Sequence, residues 1–395
     1  MGYYYQLGTV PPKRHTQFRK ADGGLHAEEV YGTEGFTGIQ SILYHLHPPT
    51  QVSRVAENGS VALDHWGTEP LRHHLFHTKN AERQGDPISG RQTLMFNDDC
   101  TIGVCLPKEP MPYFYRNAYC DEVLFIHEGT GTLLTNFGRL PYHKGDYLII
   151  PRGVTYQLGF DDPDIRMLVV EGRGPIEVPK RYRNDYGQML EHAPYCERDF
   201  RPPEALDTHN EKGEFEVRIK TKNHLSSYYF AFHPFDVVGW DGYLYPWAFN
   251  IGDFEPITGR IHQPPPVHQT FQGQNFVLCS FCPRKLDYHP LSIPVPYNHS
   301  NIDSFEMIYY VTGRFGSRRG VDYASITLHP SGIPHGPHPG TVEASLGKEF
   351  TDELAVMVDT FYPLHLTKAA QGFDDPKYPY SWLPETDGAA GTTTG

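Results

Sequence analysis

The segment 297–338 constrains the fold of this chain more than any other part of its sequence. It reads YNHSNIDSFEMIYYVTGRFGSRRGVDYASITLHPSGIPHGPH and contains two runs of β-branched and aromatic residues that are typical of strands. Loops beside these runs carry His299 and His335, and the first run begins at Glu306. Two imidazoles and one carboxylate can hold one face of a divalent metal and leave the opposite face open. The segment therefore predicts a β-structure with a metal site between its loops.

The spacing of these residues resembles the two sequence motifs of cupin barrels. The first motif joins His-x-His to a glutamate and then a glycine, and this chain matches it at His299, Glu306 and Gly313. Asn301 stands where the motif has its second histidine, so one potential ligand is lost. The second motif, Pro-x-Gly-x-x-His, is matched by the run PSGIPH, which ends at His335. The resemblance implies an antiparallel β-barrel of the jelly-roll type.

A structural interpretation of these histidines stays open, because the chain contains 22 histidines and single matches arise easily. Under that interpretation His299 and His335 are solvated residues of turns. Several matched positions over two motifs favour the metal site instead. The ligand set is typical of non-haem Fe(II) enzymes that bind substrate and O2 on the open face, although manganese would fit it as well.

A second cupin-like pattern occupies residues 93–156. Glu122 and Gly129 keep the spacing of glutamate and glycine, and the run GDYLIIPRG resembles the start of the second motif. The histidine positions hold other residues, with tyrosine, arginine, asparagine and alanine at 115–118 and Tyr156 in place of the last histidine. We therefore expect a mainly β bicupin, with two antiparallel barrels and few short helices, whose first barrel binds no metal.

The predicted domains are an N-terminal cupin-like unit without metal at 1–205, a catalytic cupin unit at 206–384 and a disordered tail at 385–395. Charge and proline are enriched around the first boundary, as is common in connecting segments. The chain ends in the low-complexity run TDGAAGTTTG.

Two further groups of histidines have no carboxylate at cupin spacing. His45 and His47 alternate on a predicted strand, which favours a structural role for both. The cluster Arg72, His73, His74, His77 is interpreted as surface, because no motif surrounds it.

Charge and cysteine content limit the possible functions. The formal net charge of −13 argues against nucleic-acid binding, and no apolar run approaches the ~20 residues of a membrane span. Six cysteines in 395 residues indicate reduced thiols rather than a disulfide framework, and no secretory signal is visible. We expect a cytoplasmic protein without nucleic-acid or membrane partners.

Several longer runs resemble the homogentisate 1,2-dioxygenase family in its bacterial form. These runs are GWDGYLYPW, GRIHQPPPVHQTF, PRKLDYHPLSIPVPYNHSN, GSRRG and HPSGIPHGPHPG, and the similarity covers most of the chain. The resemblance implies a homo-oligomeric bicupin that uses Fe(II) and O2 to open the ring of homogentisate, a small aromatic substrate. The implied product is maleylacetoacetate, in tyrosine and phenylalanine catabolism.

The resemblance also implies roles for individual residues. His299, Glu306 and His335 match the iron ligands, and His335 also lies beside the substrate. His262 matches the histidine that hydrogen-bonds the substrate phenol. An imidazole near a metal-bound phenol is a natural acceptor of its proton, so we interpret His262 as the catalytic base.

Four other positions are implied to contact the substrate: Tyr297, His329, Phe315 and Arg318. Two roles stay open for His329, a hydrogen bond to bound oxygen or support of the His335 loop. Phe315 stands where the animal enzymes have a tyrosine, so a hydroxyl that contacts the phenol is missing. Arg318 replaces a lysine and is a candidate for binding a substrate carboxylate, with a solvated turn as the alternative.

Three rival functions remain open from the sequence. One is a ring-cleaving dioxygenase of another hydroquinone, such as gentisate or a substituted homogentisate, which Phe315 keeps possible. Another is a non-catalytic cupin that binds a small molecule, although such a barrel would not need to keep three metal ligands. A metal-dependent isomerase, which would consume no O2, is the third.

Overall fold

The structure, a computed structural model, describes residues 3–67, 70–313, 315 and 318–384. The tail predicted to be disordered, 385–395, lies outside the described residues.

Strands dominate the first half of the chain. They are β1 (Tyr5–Gly8), β2 (Ala27–Gly32), β3 (Gln40–His45), β4 (Val52–Ser60), β5 (His74–His77), β6 (Arg91–Phe96), β7 (Cys100–Cys105), β8 (Phe114–Asn117), β9 (Asp121–Glu128), β10 (Gly131–Thr135), β11 (Gly138–Tyr142), β12 (Asp146–Ile150), β13 (Thr155–Phe160) and β14 (Arg166–Gly172).

The second half is also built mainly from strands. They are β15 (Phe200–Arg201), β16 (Lys212–Lys220), β17 (His224–Phe232), β18 (Val237–Gly242), β19 (Trp247–Asn250), β20 (Gln269–Gly273), β21 (Phe276–Phe281), β22 (Arg284–Lys285), β23 (Phe305–Thr312), β24 (Ser325–His329), β25 (Phe350–Thr351), β26 (Leu354–Thr360) and β27 (His365–Leu366). Two short α-helices, α1 (Thr341–Ser345) and α2 (Lys368–Gln371), accompany them.

The large sheets form two units that correspond to the two predicted barrels. The first unit has a seven-stranded sheet, β11-β10-β13-β8-β16-β17-β4, and an eight-stranded sheet, β15-β19-β12-β9-β14-β7-β6-β27. The second unit is built on a six-stranded sheet, β20-β21-β26-β23-β24-β5. Smaller sheets of four strands (β1-β18-β3-β2) and two strands (β22-β25) complete the structure. The predicted fold class, a mainly β bicupin with few short helices, is confirmed.

The predicted boundary at 205/206 is crossed by sheets in both directions. β16 and β17 lie after it, yet they pair with β8 and β4 in the first unit. β5 lies before it and pairs with β24 in the second unit. Each unit therefore contains strands from both sides of residue 205, and the position of the boundary stays a prediction.

No helix within the described residues is long and apolar enough to cross a membrane.

Two strands separate the main hydrophobic core from the inside of the second unit. Alternate residues of a strand point to opposite faces. From β23 and β26, one set joins the core: Met307, Tyr309, Val311, Val356 and Val358. The other set lines a cavity: Glu306, Ile308, Tyr310, Ala355, Met357 and Asp359. The apolar residues of the first set hold the polar residues of the second set in place.

The motif glycines confirm that both halves follow the cupin pattern. Gly129 follows β9 with φ 97°, and Gly313 follows β23 with φ 103°. Residues that carry a side chain rarely adopt this backbone region. A Cβ atom on Gly313 would also lie 2.4 Å from Asp352 O. Glycine is therefore required where each of these long strands ends.

Candidate metal centre

Three side chains from separate segments meet in the second unit. His299 and His335 lie on loops that exchange backbone hydrogen bonds, His299 N to His335 O at 2.8 Å and His335 N to His299 O at 2.9 Å. Glu306 begins the inner face of β23, with Oε2 3.5 Å from His299 Nε2 and Oε1 3.4 Å from His335 Nε2. One ligand atom of each residue lies within 4.8 Å of the other two. This arrangement suits a single metal ion.

Backbone carbonyls fix the orientation of both imidazoles. Tyr297 O accepts a hydrogen bond from His299 Nδ1 at 3.1 Å, and Ile333 O accepts one from His335 Nδ1 at 3.2 Å. Because each Nδ1 carries the proton, each Nε2 turns its lone pair toward Glu306, as in metal-binding histidines. His335 Nε2 is buried and has no hydrogen-bond partner among the described residues. A metal ion would satisfy that nitrogen.

The carboxylate of Glu306 is stabilised in its charged form. Burial alone would raise the pKa of Glu306, but the surrounding histidines, His299 and His329 first, hold it well below its usual value. Asn301 Nδ2 donates a long hydrogen bond of 3.5 Å to Oε2, from the position where the cupin motif has a histidine. The predicted set of two imidazoles and one carboxylate is thus assembled, with the carboxylate held in the charged form that a metal requires.

The first unit shows the same part of the fold without that ligand set. Glu122 in β9 lies opposite Glu171 in β14, so two carboxylates stand side by side. Arg91 Nη1 lies 2.6 Å from Glu122 Oε1 and 2.8 Å from Glu171 Oε1, and Lys220 Nζ pairs with Glu171. Tyr156, in place of the last motif histidine, donates a hydrogen bond to Glu122 Oε2 at 2.5 Å. Cationic side chains and a phenol satisfy these carboxylates.

The second unit repeats the carboxylate pair without those cations. Glu306 lies opposite Asp359 in β26, and directly opposed residues of antiparallel strands share a face. Within the described residues, no lysine or arginine forms an ion pair with either carboxylate. Asp359 Oδ1 is buried and lacks a hydrogen-bond partner there; burial and the nearby Glu306 raise the pKa of Asp359 well above its usual value. A divalent cation would supply the charge that Arg91 and Lys220 supply in the first unit.

A cavity of about 330 Å³ opens beside the three candidate ligands. This volume is at the lower end of the range for small-molecule sites, roughly 300–1,000 Å³. Residues predicted to bind or act on the substrate line it together with two ligands: His262, Tyr297, Phe315, Arg318, His299 and Glu306. The structure therefore brings most of the predicted site residues to one place.

A carboxylate orients His262 in the cavity wall. His262 Nδ1 lies 3.4 Å from Asp287 Oδ2, and the imidazole meets the ring of Tyr297 edge-on with centroids 5.0 Å apart. A carboxylate at Nδ1 stabilises the protonated ring and leaves Nε2 to exchange a proton with a ligand. This geometry suits the predicted base.

Arg318 is a partly buried cation whose Nε is fully buried. Its Nη1 donates to Gly336 O, whereas Nε has no hydrogen-bond partner among the described residues. The alternative interpretation, a solvated turn, does not fit this burial. Phe315 packs edge-on against Tyr310 with ring centroids 4.5 Å apart, and both rings line the same cavity as Arg318. A partly buried guanidinium whose Nε lacks an acceptor among the described residues suits an anionic ligand group.

His329 lies behind Glu306 rather than in the part of the cavity wall that is described. Its Nδ1 is 2.8 Å from Glu306 Oε1, and its Nε2 is 3.2 Å from the hydroxyl of Tyr378. Burial lowers the pKa of His329 to about 3. These contacts favour the supporting role over a hydrogen bond to oxygen. The predicted substrate contact of His329 stays a prediction.

The interpretation of His73 and His74 as surface residues is wrong. Both are buried, with His73 Nε2 3.1 Å from Pro334 O and His74 Nδ1 2.8 Å from Asp374 Oδ1. His45 is structural as expected, with Nδ1 2.7 Å from Asp236 Oδ1. Three further residues in or next to the site were not predicted from the sequence: Asp359, His268 and Tyr378. Only the alternation in LAVMVDT could have indicated Asp359.

Comparison with known proteins identifies relatives over most of the chain. A family model described as the homogentisate 1,2-dioxygenase N-terminal domain matches residues 88–251. A protein of Saccharolobus solfataricus is 45% identical over 97% of this chain and 99% of its own length. That protein carries the provisional name of a dioxygenase. The homogentisate 1,2-dioxygenase of Bradyrhizobium diazoefficiens is 25% identical over 92% of this chain and 86% of its own length.

A solved structure of a cupin 2 conserved barrel domain protein from Leptotrichia buccalis covers 80% of this chain and 99% of that chain, at 8% identity and a TM-score of 0.31. That likeness is too low to support an argument, so the fold class rests on the sheets described above.

Proposed function

The chain belongs to the homogentisate 1,2-dioxygenase family, and on that premise we propose that it cleaves the ring of homogentisate with O2, using Fe(II) held by His299, Glu306 and His335. The metal part of this proposal rests on the pair Glu306 and Asp359, which forms no ion pair with a lysine or arginine among the described residues. The first unit of the same chain neutralises the equivalent pair with Arg91 and Lys220. The family relationship supports ring cleavage.

Bound Fe(II) would supply Lewis acidity and electrons for the reaction with O2. The protein's own part begins with His262, which takes the proton of the substrate phenol at Nε2. Asp287, 3.4 Å from His262 Nδ1, stabilises the resulting imidazolium. Removal of the proton makes the ring more electron-rich, which favours its oxidation.

Arg318 is the proposed partner of the substrate carboxylate. Its buried Nε has no competing acceptor among the described residues, and a guanidinium can bind a carboxylate through two hydrogen bonds. Tyr297 lines the cavity between His262 and His299 and confines the ring. These contacts support a binding mode in which the phenol lies near the metal ligands and the carboxylate near Arg318.

Phe315 supports a second candidate, cleavage of another hydroquinone such as gentisate. It lines the cavity where animal members of the family have a tyrosine, so one hydrogen bond to the substrate is unavailable.

A homo-oligomeric assembly and a cytoplasmic location also belong to the proposal. All six cysteines are free, which agrees with reduced thiols.

Oxygen uptake tests the function. Protein loaded anaerobically with Fe(II) is mixed with homogentisate and O2, and the near-ultraviolet absorbance of a ring-opened product is followed. We expect equimolar consumption of O2 and homogentisate, and none with Glu306→Ala protein treated in the same way. Uptake with gentisate but not homogentisate would support the second candidate. No uptake with either would refute both and favour a cupin that only binds small molecules.

A further inference from the structure

His329 forms a chain of hydrogen bonds that ends at a metal ligand. Its Nδ1 is 2.8 Å from Glu306 Oε1, and its Nε2 is 3.2 Å from the hydroxyl of Tyr378. Both His329 and Tyr378 are buried, so water does not compete for these groups. The imidazole also stacks on the ring of His335 with centroids 4.3 Å apart. One side chain thus contacts two of the three candidate ligands.

The chemistry of the groups sets the direction of the chain. A carboxylate oxygen only accepts hydrogen bonds, so Nδ1 of His329 must carry the proton that faces Glu306. Nε2 of the same ring then has a lone pair, and the Tyr378 hydroxyl is its donor. The hydroxyl therefore stabilises the same tautomer that Glu306 requires, the one that donates from Nδ1. With Oε1 held in this way, Oε2 stays on the side of His299, 3.5 Å from its Nε2.

The segment that contains Tyr378 contacts the ligand loop at residues that directly follow His335, namely Gly336 and His338. Trp382 Nε1 donates to Gly336 O at 3.1 Å, and the ring of Trp382 stacks on His338 with centroids 4.3 Å apart. Ser381 Oγ lies 2.7 Å from His338 Nε2. The loop that carries His335 is thus fixed by a segment more than 40 residues later in the chain.

We propose that Tyr378 is a positioning residue for the metal site: its hydroxyl, acting through His329, holds the carboxylate of Glu306 in the orientation that binds the metal. The inference rests on the proposed function, since it requires a metal at His299, Glu306 and His335. Substitution of such supporting hydrogen-bond partners lowers metal affinity by about 10- to 100-fold in other metalloproteins.

Tyr378→Phe tests this inference by removing one hydroxyl. Tyr380→Phe is the matched control, because Tyr380 lies two residues later, is 67% exposed and makes no side-chain hydrogen bond within the described residues. Co(II) is titrated into metal-free protein, and its visible absorption spectrum reports both affinity and coordination. We expect Tyr378→Phe to bind Co(II) roughly 10-fold more weakly with an altered spectrum. Tyr380→Phe should match the wild type.

A purely structural role of Tyr378 would lower the melting temperature of the metal-free protein and leave Co(II) affinity and spectrum unchanged, which would overturn the inference. If Tyr378→Phe does not fold, His329→Phe removes the same chain of hydrogen bonds, and unchanged Co(II) affinity in that variant would be equally decisive. A wild-type protein that binds no Co(II) would refute the metal site and this inference together.

Discussion

Replacement of Arg91 by methionine would leave two buried carboxylates of the first unit with too few partners. Arg91 donates through Nη1 to Glu122 and Glu171, through Nη2 to the Tyr156 hydroxyl at 2.9 Å, and through Nε to Pro87 O at 3.0 Å. Methionine fills much of the same volume but donates none of these bonds. Among the described residues, the one remaining cation would then be Lys220, which pairs with Glu171 and not with Glu122.

The expected loss of stability follows from burial. The Arg91 side chain is 10% exposed, and those of its two glutamates are 0% and 5% exposed. Removing one partner of such a buried pair costs about 3–5 kcal/mol of unfolding free energy, because a charge is left uncompensated. Burial alone would raise the pKa of Glu171, but Lys220 and Arg91 hold it below its usual value. The loss should therefore shrink as the pH falls and Glu171 becomes protonated.

Urea unfolding measures the loss, with the slope m compared between variants to confirm that the same transition is observed. Arg54→Met is the matched control, because Arg54 forms an exposed ion pair with Glu214 at 3.2 Å, and exposed ion pairs contribute little to stability. The double variant Arg91→Met/Glu122→Gln should recover much of the loss, since it removes a charge together with its partner. If Arg91→Met lowers the free energy of unfolding no more than Arg54→Met does, the conclusion that Arg91 balances the charge of Glu122 and Glu171 is wrong.

Three further predictions concern the site and the pH dependence of stability. His262→Phe should keep its metal content, while turnover of the Fe(II)-loaded enzyme falls by roughly 100-fold or more, since a general base is lost; unchanged turnover would contradict its role. Glu306→Ala should bind little iron after dialysis, as elemental analysis would show, and full occupancy would exclude it as a ligand. Burial alone would lower the pKa of His45, but Asp236 and Glu29 raise it to about 9. The ion pairs of protonated His45 therefore stabilise the fold fully below about pH 6.5, and this stabilisation is lost as the pH rises through about 9. The difference in unfolding free energy between wild type and His45→Gln should narrow between these values. A constant difference would refute the ion pair.

The parts of the site that could be predicted from sequence are those encoded in short spacings. His299 and Glu306 are close in the chain, and His335 follows a recognisable run, so a motif identifies all three. Because alternate residues of a strand share a face, the position of Glu306 also indicates which residues of β23 line the cavity. The mainly β fold follows from the many short β-type runs and turns.

The supporting contacts could not be predicted, because they join distant segments. His73 contacts the ligand loop across 261 residues, and the His329 partner Tyr378 lies 49 residues away. Nothing in the local sequence of either residue marks such a contact, and in the case of His73 the absence of a motif led to a wrong assignment to the surface. The assignment of strands to the two units was equally out of reach, because β5 and β16 pair across the predicted boundary.

The two units differ in how they balance the same buried charge. Each places two acidic residues opposite one another, Glu122 with Glu171 and Glu306 with Asp359. In the first unit the balancing cation is part of the chain, so it cannot be exchanged and offers no open coordination position. A metal in the second unit would balance the charge and still leave positions for ligands. Changing Tyr156 to histidine would therefore not create a second metal site by itself, because the Arg91 guanidinium would still occupy the carboxylates.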